Sequence, residues 1–226
     1  MFSRYRIEEL LGTGAFGEVY LAEHLNLKVN RALKCIKKCR DIYRTAVREA
    51  DILKDLRHPA IPIIYDIEEN EECVCIVEEY VEGSSLSSLL SDKGKLPVRN
   101  IIDITLDLCN AVEYLHDRKV FHRDIKPENI IYNGRSIKLL DYGSAVCANG
   151  KRAPAMGTKW YAAPEVYTGS TSDAGGDIYS IGAVMLTAAA GAMEDLTASA
   201  HGNLPILSEN VFYIQKGRDS APSGSL

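Results

Sequence analysis

The chain has 226 residues, 46% hydrophobic and 25% charged, which is typical of a globular protein with a sizeable core in one domain or two lobes. The net charge of −5 gives no reason to expect binding to nucleic acid or to an anionic membrane. The first residues lack the apolar stretch of a signal peptide, and residues 178–192 are too few and too interrupted to span a membrane. We therefore expect a cytoplasmic protein without a membrane span.

The six cysteines do not form the paired C-x-x-C spacing of a zinc site. Cys73 and Cys75 alternate within a strand pattern, which places them on one face. We interpret the six as small buried side chains in a reducing compartment. The cysteines are Cys35, Cys39, Cys73, Cys75, Cys109 and Cys147.

A glycine-rich stretch follows a predicted strand over residues 5–11. Gly12, Gly14 and Gly17 form the pattern G-x-G-x-x-G-x-V with Val19. Glycine lets the backbone turn tightly and brings its amides close to phosphate oxygens. Dinucleotide-binding loops share this spacing but open into a helix, whereas the residues after Gly17 alternate as a strand. The pattern therefore favours a phosphate-binding loop between two strands.

Lys34 lies inside the next predicted strand, in the apolar context Ala-Leu-Lys-Cys-Ile. Burying an unpaired ammonium is costly, so an interior lysine needs a partner or a ligand. The alternative is a solvent-facing position, as we expect for Lys37 and Lys38. Residues 41–57 then read as a helix, and Glu49 lies at the border of its apolar stripe, where it would be solvated in the absence of a partner. That stripe consists of Ile42, Ala46, Ala50, Leu53 and Leu56.

Two strands, over residues 61–67 and 73–80, are joined by an acidic turn. A short helix over residues 86–90 and a long helix over residues 96–119 come next. One face of the long helix is predicted to be buried, because its apolar residues repeat every three or four positions. These residues are Ile101, Ile104, Leu108, Ala111, Val112 and Leu115.

Three polar side chains then stand among apolar residues. Two short β-rich runs with a turn at Asn133 and Gly134 predict a hairpin, with Asp124 and Asn129 at its entry and Asp141 at its exit. The hairpin should bring the three together. The oxygens of Asn129 and Asp141 suit Mg²⁺, which proteins hold with few ligands of their own. Asp124 would then be free to orient a hydroxyl.

The motifs HRDIKPEN, DYG and GTKWYAAPE, together with the glycine-rich loop, resemble eukaryotic-type Ser/Thr protein kinases over residues 5–188. That family usually has Phe where this chain has Tyr142. The resemblance implies an α+β, two-lobed fold. Residues 1–80 would form a small antiparallel β-sheet lobe with one key helix, and residues 81–190 a mainly helical, incomplete second lobe. Residues 191–226 would be a divergent, poorly ordered tail.

The resemblance also implies roles for single residues. Asp124 would be the catalytic base, with Lys126, Lys34 and Glu49 as further catalytic residues, and Glu49 would pair with Lys34. Asn129 and Asp141 would hold Mg²⁺, and Asp177 would accept hydrogen bonds from the backbone of the catalytic loop. ATP would lie against a larger set, with the backbone of the hinge residues Glu79 and Val81 at the adenine edge. That set is Leu11, Gly12, Gly14, Gly17, Val19, Ala32, Lys34, Glu79, Val81 and Ile131.

Glu78 aligns with the position at the back of the nucleotide pocket, where the family more often has Met, Thr, Leu or Phe. We hypothesise that Glu78 shares the environment of Lys34 and restricts that pocket. A carboxylate there must be paired or protonated. The alternative is a side chain turned to solvent.

Thr158 and Glu165 match the threonine and the A-P-E glutamate of the kinase activation segment. Between Ala145 and Gly157 there is no Ser, Thr or Tyr, so we expect activity that does not depend on phosphorylation in that interval. Ser144→Ala should therefore keep activity.

The resemblance ends near Ala190, before the helix that usually supplies an arginine to Glu165. Arg218 or Lys216 could substitute, Glu165 could be hydrated, or the chain could be a fragment or have an altered C-terminus. The implied function is an ATP- and Mg²⁺-dependent kinase acting on Ser/Thr of protein substrates. The alternative is a catalytically weak nucleotide-binding regulatory module. A small-molecule phosphotransferase is disfavoured by Lys126 and the A-P-E loop.

Overall fold

One sheet of five strands forms the N-terminal part of the computed structural model, which describes residues 3–14, 17–38, 49–69, 71–147, 158, 160–167 and 174–191. The strands are β1 (Tyr5–Gly14), β2 (Gly17–His24), β3 (Val29–Lys37), β4 (Ile64–Glu69) and β5 (Cys73–Glu79). Their order is β1-β2-β3-β5-β4, and every neighbouring pair is antiparallel. The predicted antiparallel sheet is confirmed, and a strand rather than a helix follows the glycine-rich loop.

A helical segment, described over residues 49–53, packs on one face of this sheet. Ala50 joins Ile36 and Ile76 of the sheet in one buried cluster. The helix predicted over residues 41–57 stops earlier than expected, because residues 54 and 55 form a turn. Ile42 and Ala46 lie outside the described residues.

Helices dominate the second part of the chain. They are α1 (Leu86–Lys93), α2 (Val98–Asp117), α3 (Pro164–Tyr167) and α4 (Ala174–Ala190). Ser85 caps α1, because its side chain accepts a hydrogen bond from the N–H of Ser88 at 3.0 Å. The six residues predicted for the buried face of α2 are all buried, and several of them form a core with Ile181, Val184 and Ala188 of α4.

Short strands connect these helices. Strands β6 (Ser84–Ser85), β8 (Ile130–Tyr132) and β9 (Ile137–Leu139) form one small antiparallel sheet, and β7 (Val120–Phe121) pairs with β10 (Val146–Cys147). The predicted hairpin is the β8–β9 pair. In its turn Asn133 Oδ1 accepts hydrogen bonds from the N–H groups of Arg135 and Ser136, and Gly134 has φ +90°.

The interpretation of the cysteines is wrong for Cys35 and Cys75, which form a disulfide with an S–S distance of 1.99 Å. The two residues stand directly opposite each other in β3 and β5, so their side chains meet on one face of the sheet. Cys109 and Cys147 are exposed rather than buried, and Cys39 lies outside the described residues. The cytoplasmic location stays a prediction, without the support that six unpaired cysteines would give.

Among the helices described here, none is both long and apolar enough to cross a lipid bilayer. Of the tail predicted for residues 191–226, only Gly191 belongs to the described residues.

Candidate active site

Lys34 is the centre of a buried ionic cluster. Its Nζ lies 2.8 Å from both carboxylate oxygens of Glu49 and 2.9 Å from Asp141 Oδ1. Burial by itself would lower the pKa of Lys34, but the negative charges of Glu49, Asp141 and Glu78 outweigh burial and hold that pKa above its ordinary value. Lys34 is therefore a paired, permanently charged ammonium at neutral pH.

Glu49 connects the helical segment to the chain just after Asp141. Its side chain is only 2% exposed, so the solvated position considered for Glu49 is wrong. Besides contacting Lys34, Oε1 accepts a hydrogen bond from the N–H of Tyr142 at 3.1 Å. The helical segment, the strand β3 and the segment after β9 thus converge on one carboxylate.

Asp141 directs one oxygen at Lys34 and leaves the other without a hydrogen bond from the described residues. Its backbone is left-handed, with φ +63°. Burial by itself would raise the pKa of Asp141. The Lys34 ammonium opposes burial through its charge and its hydrogen bond, and the pKa of Asp141 lies below its ordinary value. Asp141 is therefore an ionised carboxylate with Oδ2 available to a cation.

Asp124 lies beside Asn129 at the entry of the hairpin. Asn129 Nδ2 donates to the backbone oxygen of Asp124 at 2.9 Å and to Asp124 Oδ2 at 3.3 Å. Because the amide nitrogen is committed to Asp124, Asn129 Oδ1 lies on the other side of the group and takes no hydrogen bond from the described residues. The N–H of Leu140, next to Asp141, donates to the backbone oxygen of Asn129 at 2.7 Å.

The hydrogen bond between the backbones of Leu140 and Asn129 therefore connects the segments that carry the two predicted metal ligands, Asn129 and Asp141. Their two open oxygens, one amide and one carboxylate, are the donor types that Mg²⁺ prefers, so these residues fit the ion.

Thr158 and Lys126 complete the surroundings of Asp124. The hydroxyl of Thr158 donates to Asp124 Oδ1 at 2.7 Å, and Lys126 Nζ lies 2.8 Å from Asp124 Oδ2. Lys126 Nζ also donates to Thr158 Oγ1 at 2.9 Å. Asp124 thus accepts a hydrogen bond from an aliphatic hydroxyl.

Asp177 in α4 binds the segment that carries Asp124. Its oxygens accept hydrogen bonds from the N–H groups of His122 at 2.9 Å and Arg123 at 2.8 Å, and Oδ2 lies 2.9 Å from His116 Nε2. Asp177 has no exposed surface. The structure shows the backbone contacts that the resemblance implied, and it adds His116 of α2, which no sequence pattern indicated.

His122 stacks edge-on against Tyr142, with 4.7 Å between the ring centroids, and its Nε2 lies 3.2 Å from the backbone oxygen of Leu140. Burial lowers the pKa of His122 and outweighs the nearby carboxylates, so the ring is neutral. A neutral ring that donates from Nε2 fixes the chain on both sides of the hairpin. Ser144, the serine after Gly143, is also buried.

Two of the residues that the resemblance assigned to ATP, Val19 and Ala32, stand beside this cluster in the sheet. Val19 stands opposite Lys34, and Ala32 stands opposite Glu78. Val19, Ala32, Val81 and Ile131 are half-buried, whereas Leu11 and Gly12 are exposed.

The requirement for glycine differs along the loop. At Gly17, with φ +146°, an added Cβ would lie 2.2 Å from the backbone oxygen of Cys35, so strand packing excludes a side chain. Gly12 has open space beside it, and Gly14 pairs with Gly17. Residues 15 and 16 lie outside the described residues.

The hinge residue Glu79 has a role that the sequence did not indicate. Its Oε2 lies 2.6 Å from Lys138 Nζ on β9 and accepts a hydrogen bond from the N–H of Ile63 at 3.2 Å. Its own N–H donates to the backbone oxygen of Ile63 at 2.8 Å. The side chain of Glu79 therefore links the two lobes, and its N–H is not available to adenine.

Glu78 is half-buried as a residue, but its Oε1 is shielded from solvent and has no hydrogen-bond partner among the described residues. The alternative interpretation, in which the side chain of Glu78 turns to solvent, is therefore wrong. Burial and the charge of Glu49 raise the pKa of Glu78 from its ordinary 4.5 to about 8, although Lys34 opposes the shift. Glu78 thus shares the electrostatic environment of Lys34, as hypothesised.

Glu165 lies in α3 and is half-buried. Lys216 and Arg218, the cations considered for it, lie outside the described residues.

Comparison with known proteins places the chain in a family. The sequence profile of the protein kinase domain matches residues 5–203. The serine/threonine-protein kinase PknB of Mycolicibacterium smegmatis is 36% identical over 197 residues, which cover 80% of this chain and 32% of that protein. The serine/threonine-protein kinase 36 of Pongo abelii is 34% identical over 195 residues, covering 83% of this chain and 15% of that protein. The serine/threonine-protein kinase pkn2 of Myxococcus xanthus is 33% identical over 196 residues, covering 79% of this chain and 23% of that protein. The matched region thus makes up about a third of these relatives or less.

Proposed function

Because the chain belongs to the protein kinase domain family, we propose that it transfers the γ-phosphoryl group of ATP to serine or threonine hydroxyls of proteins. The observation that carries the proposal is the Lys34 cluster, in which Glu49 and Asp141 contact one ammonium from two different parts of the chain. This arrangement presents a fixed positive charge beside an open carboxylate oxygen. Phosphoryl transfer needs mainly such positioning and charge stabilisation.

Each residue then has a specific part. Lys34 contacts the phosphates of ATP, and Glu49 holds the ammonium in place. Asp124 accepts the hydrogen bond of the substrate hydroxyl and takes its proton as the new bond forms between that oxygen and the γ-phosphorus. The bond between this phosphorus and the β–γ bridging oxygen breaks, and ADP leaves. Lys126 stabilises the negative charge on the group in transfer.

Asn129 and Asp141 would hold Mg²⁺ through their open oxygens. When bound, the ion neutralises phosphate charge. The orientation of both ligands comes from the protein itself, since Asp124 fixes the amide of Asn129 and Lys34 fixes one oxygen of Asp141.

A phosphate-transfer assay tests the proposal. Wild-type protein, Asp124→Asn and Lys34→Met are incubated with Mg²⁺, γ-labelled ATP and a protein substrate rich in serine and threonine. We expect labelling by the wild type and a loss of at least about 10²-fold in each variant, as for removal of one transition-state contact. Equal labelling by all three would point to a contaminating kinase and overturn the proposal.

The alternative, a regulatory module that binds nucleotide without efficient transfer, gives a different result in the same experiment. Mg²⁺–ATP would then raise the melting temperature of the wild type, but no label would reach the substrate. Melting curves of all three proteins also show whether the two variants are folded.

A further inference from the structure

The carboxyl group of Glu78 lies on the face of the sheet that carries Lys34. Glu78 stands opposite Ala32 in the β3–β5 ladder, and Ile76, two residues earlier, stands opposite Lys34. Side chains two apart on a strand share a face, and so do directly paired residues. Glu78 therefore projects into the region where the nucleotide is proposed to lie.

One oxygen of this carboxyl group, Oε1, is shielded from water. Oε1 of Glu78 has no partner among the described residues, whereas the nearby ammonium of Lys34 is already held by Glu49 and Asp141. A buried oxygen without a donor is costly, so the folded protein gains when the carboxyl group turns to meet a donor on a ligand. The oxygen can accept whether the carboxyl is ionised or protonated, because the protonated form keeps its carbonyl lone pairs.

The position of Glu78 indicates which part of a nucleotide could supply that donor. Glu78 stands between Ala32, its cross-strand partner, and Glu79, both of which are proposed to border the base. A 6-aminopurine such as adenine carries two N–H donors on its exocyclic nitrogen. A 6-oxopurine such as guanine carries an acceptor oxygen at the same place, and that oxygen would face the acceptor of Glu78.

We propose that Glu78 is a specificity-determining residue, which accepts a hydrogen bond from the exocyclic amino group of the bound purine and favours 6-aminopurine over 6-oxopurine nucleotides. The inference rests on the proposed nucleotide binding and adds a residue and a reason for base selection. A site with a buried acceptor discriminates against analogues that leave it unpaired. For one hydrogen bond we expect about a tenfold effect on affinity.

A cycle that removes the amino group from the ligand and the carboxyl group from the protein isolates this contact. The affinities of ATP, GTP and purine riboside triphosphate, which has hydrogen at position 6, are measured by calorimetry in the presence of Mg²⁺. The proteins are the wild type, Glu78→Met, Glu78→Gln and Glu82→Met. Glu82 is an exposed acid four residues further on, so its variant makes the same side-chain replacement outside the pocket.

We expect the wild type and Glu82→Met to bind ATP about tenfold more tightly than purine riboside triphosphate, and GTP more weakly than ATP. Glu78→Met should bind ATP and the 6-hydrogen analogue with similar affinity. Glu78→Gln keeps an acceptor oxygen and should keep most of the preference, which supplies a second reading should Glu78→Met unfold.

The inference is overturned if Glu78→Met keeps the wild-type ratio of affinities for ATP and purine riboside triphosphate. It is also overturned if Glu78→Gln loses as much of this preference as Glu78→Met, or if the wild type binds the two nucleotides with equal affinity. In each of these cases ATP still binds, so the proposed nucleotide site stands. A wild type that binds none of the three nucleotides contradicts both.

Discussion

At the scale of single residues, Lys34 shows what the sequence can and cannot predict. An ammonium inside an apolar strand indicates that some partner exists, because an unpaired buried charge is costly. The local pattern does not show that Asp141, 107 residues away, contacts Lys34 as closely as Glu49 does. Nor does it predict the link between Glu79 and Lys138, because that contact depends on how the two lobes are placed.

Replacing Lys34 with Met should destabilise the fold as well as reduce phosphate transfer. The variant leaves the buried carboxylate of Glu49 without its main partner, and breaking a buried pair costs about 3–5 kcal/mol. The double variant Lys34→Met/Glu49→Leu should recover part of the loss, since removing both charges is cheaper than removing one. Urea unfolding of the three proteins measures this, and a double variant less stable than Lys34→Met would contradict it.

Glu78 should make stability depend on pH. Its folded-state pKa of about 8 lies above the ordinary 4.5, so the folded protein keeps a proton that the unfolded chain loses. The free energy of unfolding should therefore fall as pH rises from about 4.5 to about 8, by at most about 1.4 kcal/mol per pH unit, and level off above. Glu78→Gln should lack this fall.

Chemical denaturation of both proteins across that range tests the dependence. Parallel pH curves for the wild type and Glu78→Gln would contradict it.

At the scale of elements, the helix with a strong apolar periodicity and the β8–β9 hairpin were predicted, but the two-residue strands were not. The six buried positions of α2 follow from spacing alone, since one face must pack on a core. The two-residue strands β7 and β10 carry no such signal, because their pairing depends on where α2 and the hairpin bring the chain. The helical segment at residues 49–53 ends before its apolar pattern does, and Leu56, which follows the turn at residues 54 and 55, packs in a buried cluster.

Two leucines of α2 provide a matched test of this packing. Leu108 is buried in the helical core, whereas Leu106, two residues earlier, is 56% exposed. Leu108→Ala should lower the free energy of unfolding by about 2–5 kcal/mol, because it opens a cavity. Leu106→Ala should change it by less than about 0.5 kcal/mol. Similar values for the two variants in urea unfolding would show that α2 does not pack as described.

At the scale of the whole molecule, the strand order is the feature that the sequence left undetermined. β5 lies between β3 and β4, so Cys35 and Cys75 become direct neighbours although they are 40 residues apart in the chain. Alternation along one strand predicted that Cys73 and Cys75 share a face, but it could not show what lies opposite. The resemblance to kinases predicted the two-lobed fold without predicting this covalent link.

Reducing the disulfide should weaken the sheet. Closure of a loop with this separation corresponds to about 4 kcal/mol in the chain-entropy description. We expect dithiothreitol to lower the melting temperature of the wild type and of Cys109→Ala, but not that of the Cys35→Ala/Cys75→Ala variant. A wild type whose melting temperature does not respond to reductant, with mass spectrometry showing free thiols before treatment, would contradict the link.

Asp177 has a consequence for the motions of the catalytic segment. The N–H groups of His122 and Arg123 donate hydrogen bonds to the fully buried carboxylate of Asp177, although both residues lie outside regular secondary structure. Amide protons exchange with solvent only when such contacts open, so these two should exchange with deuterium as slowly as amides in the middle of α2. Asp177→Asn, which replaces one acceptor oxygen with a donor, should release at least one of them to fast exchange while the amides of α2 stay protected.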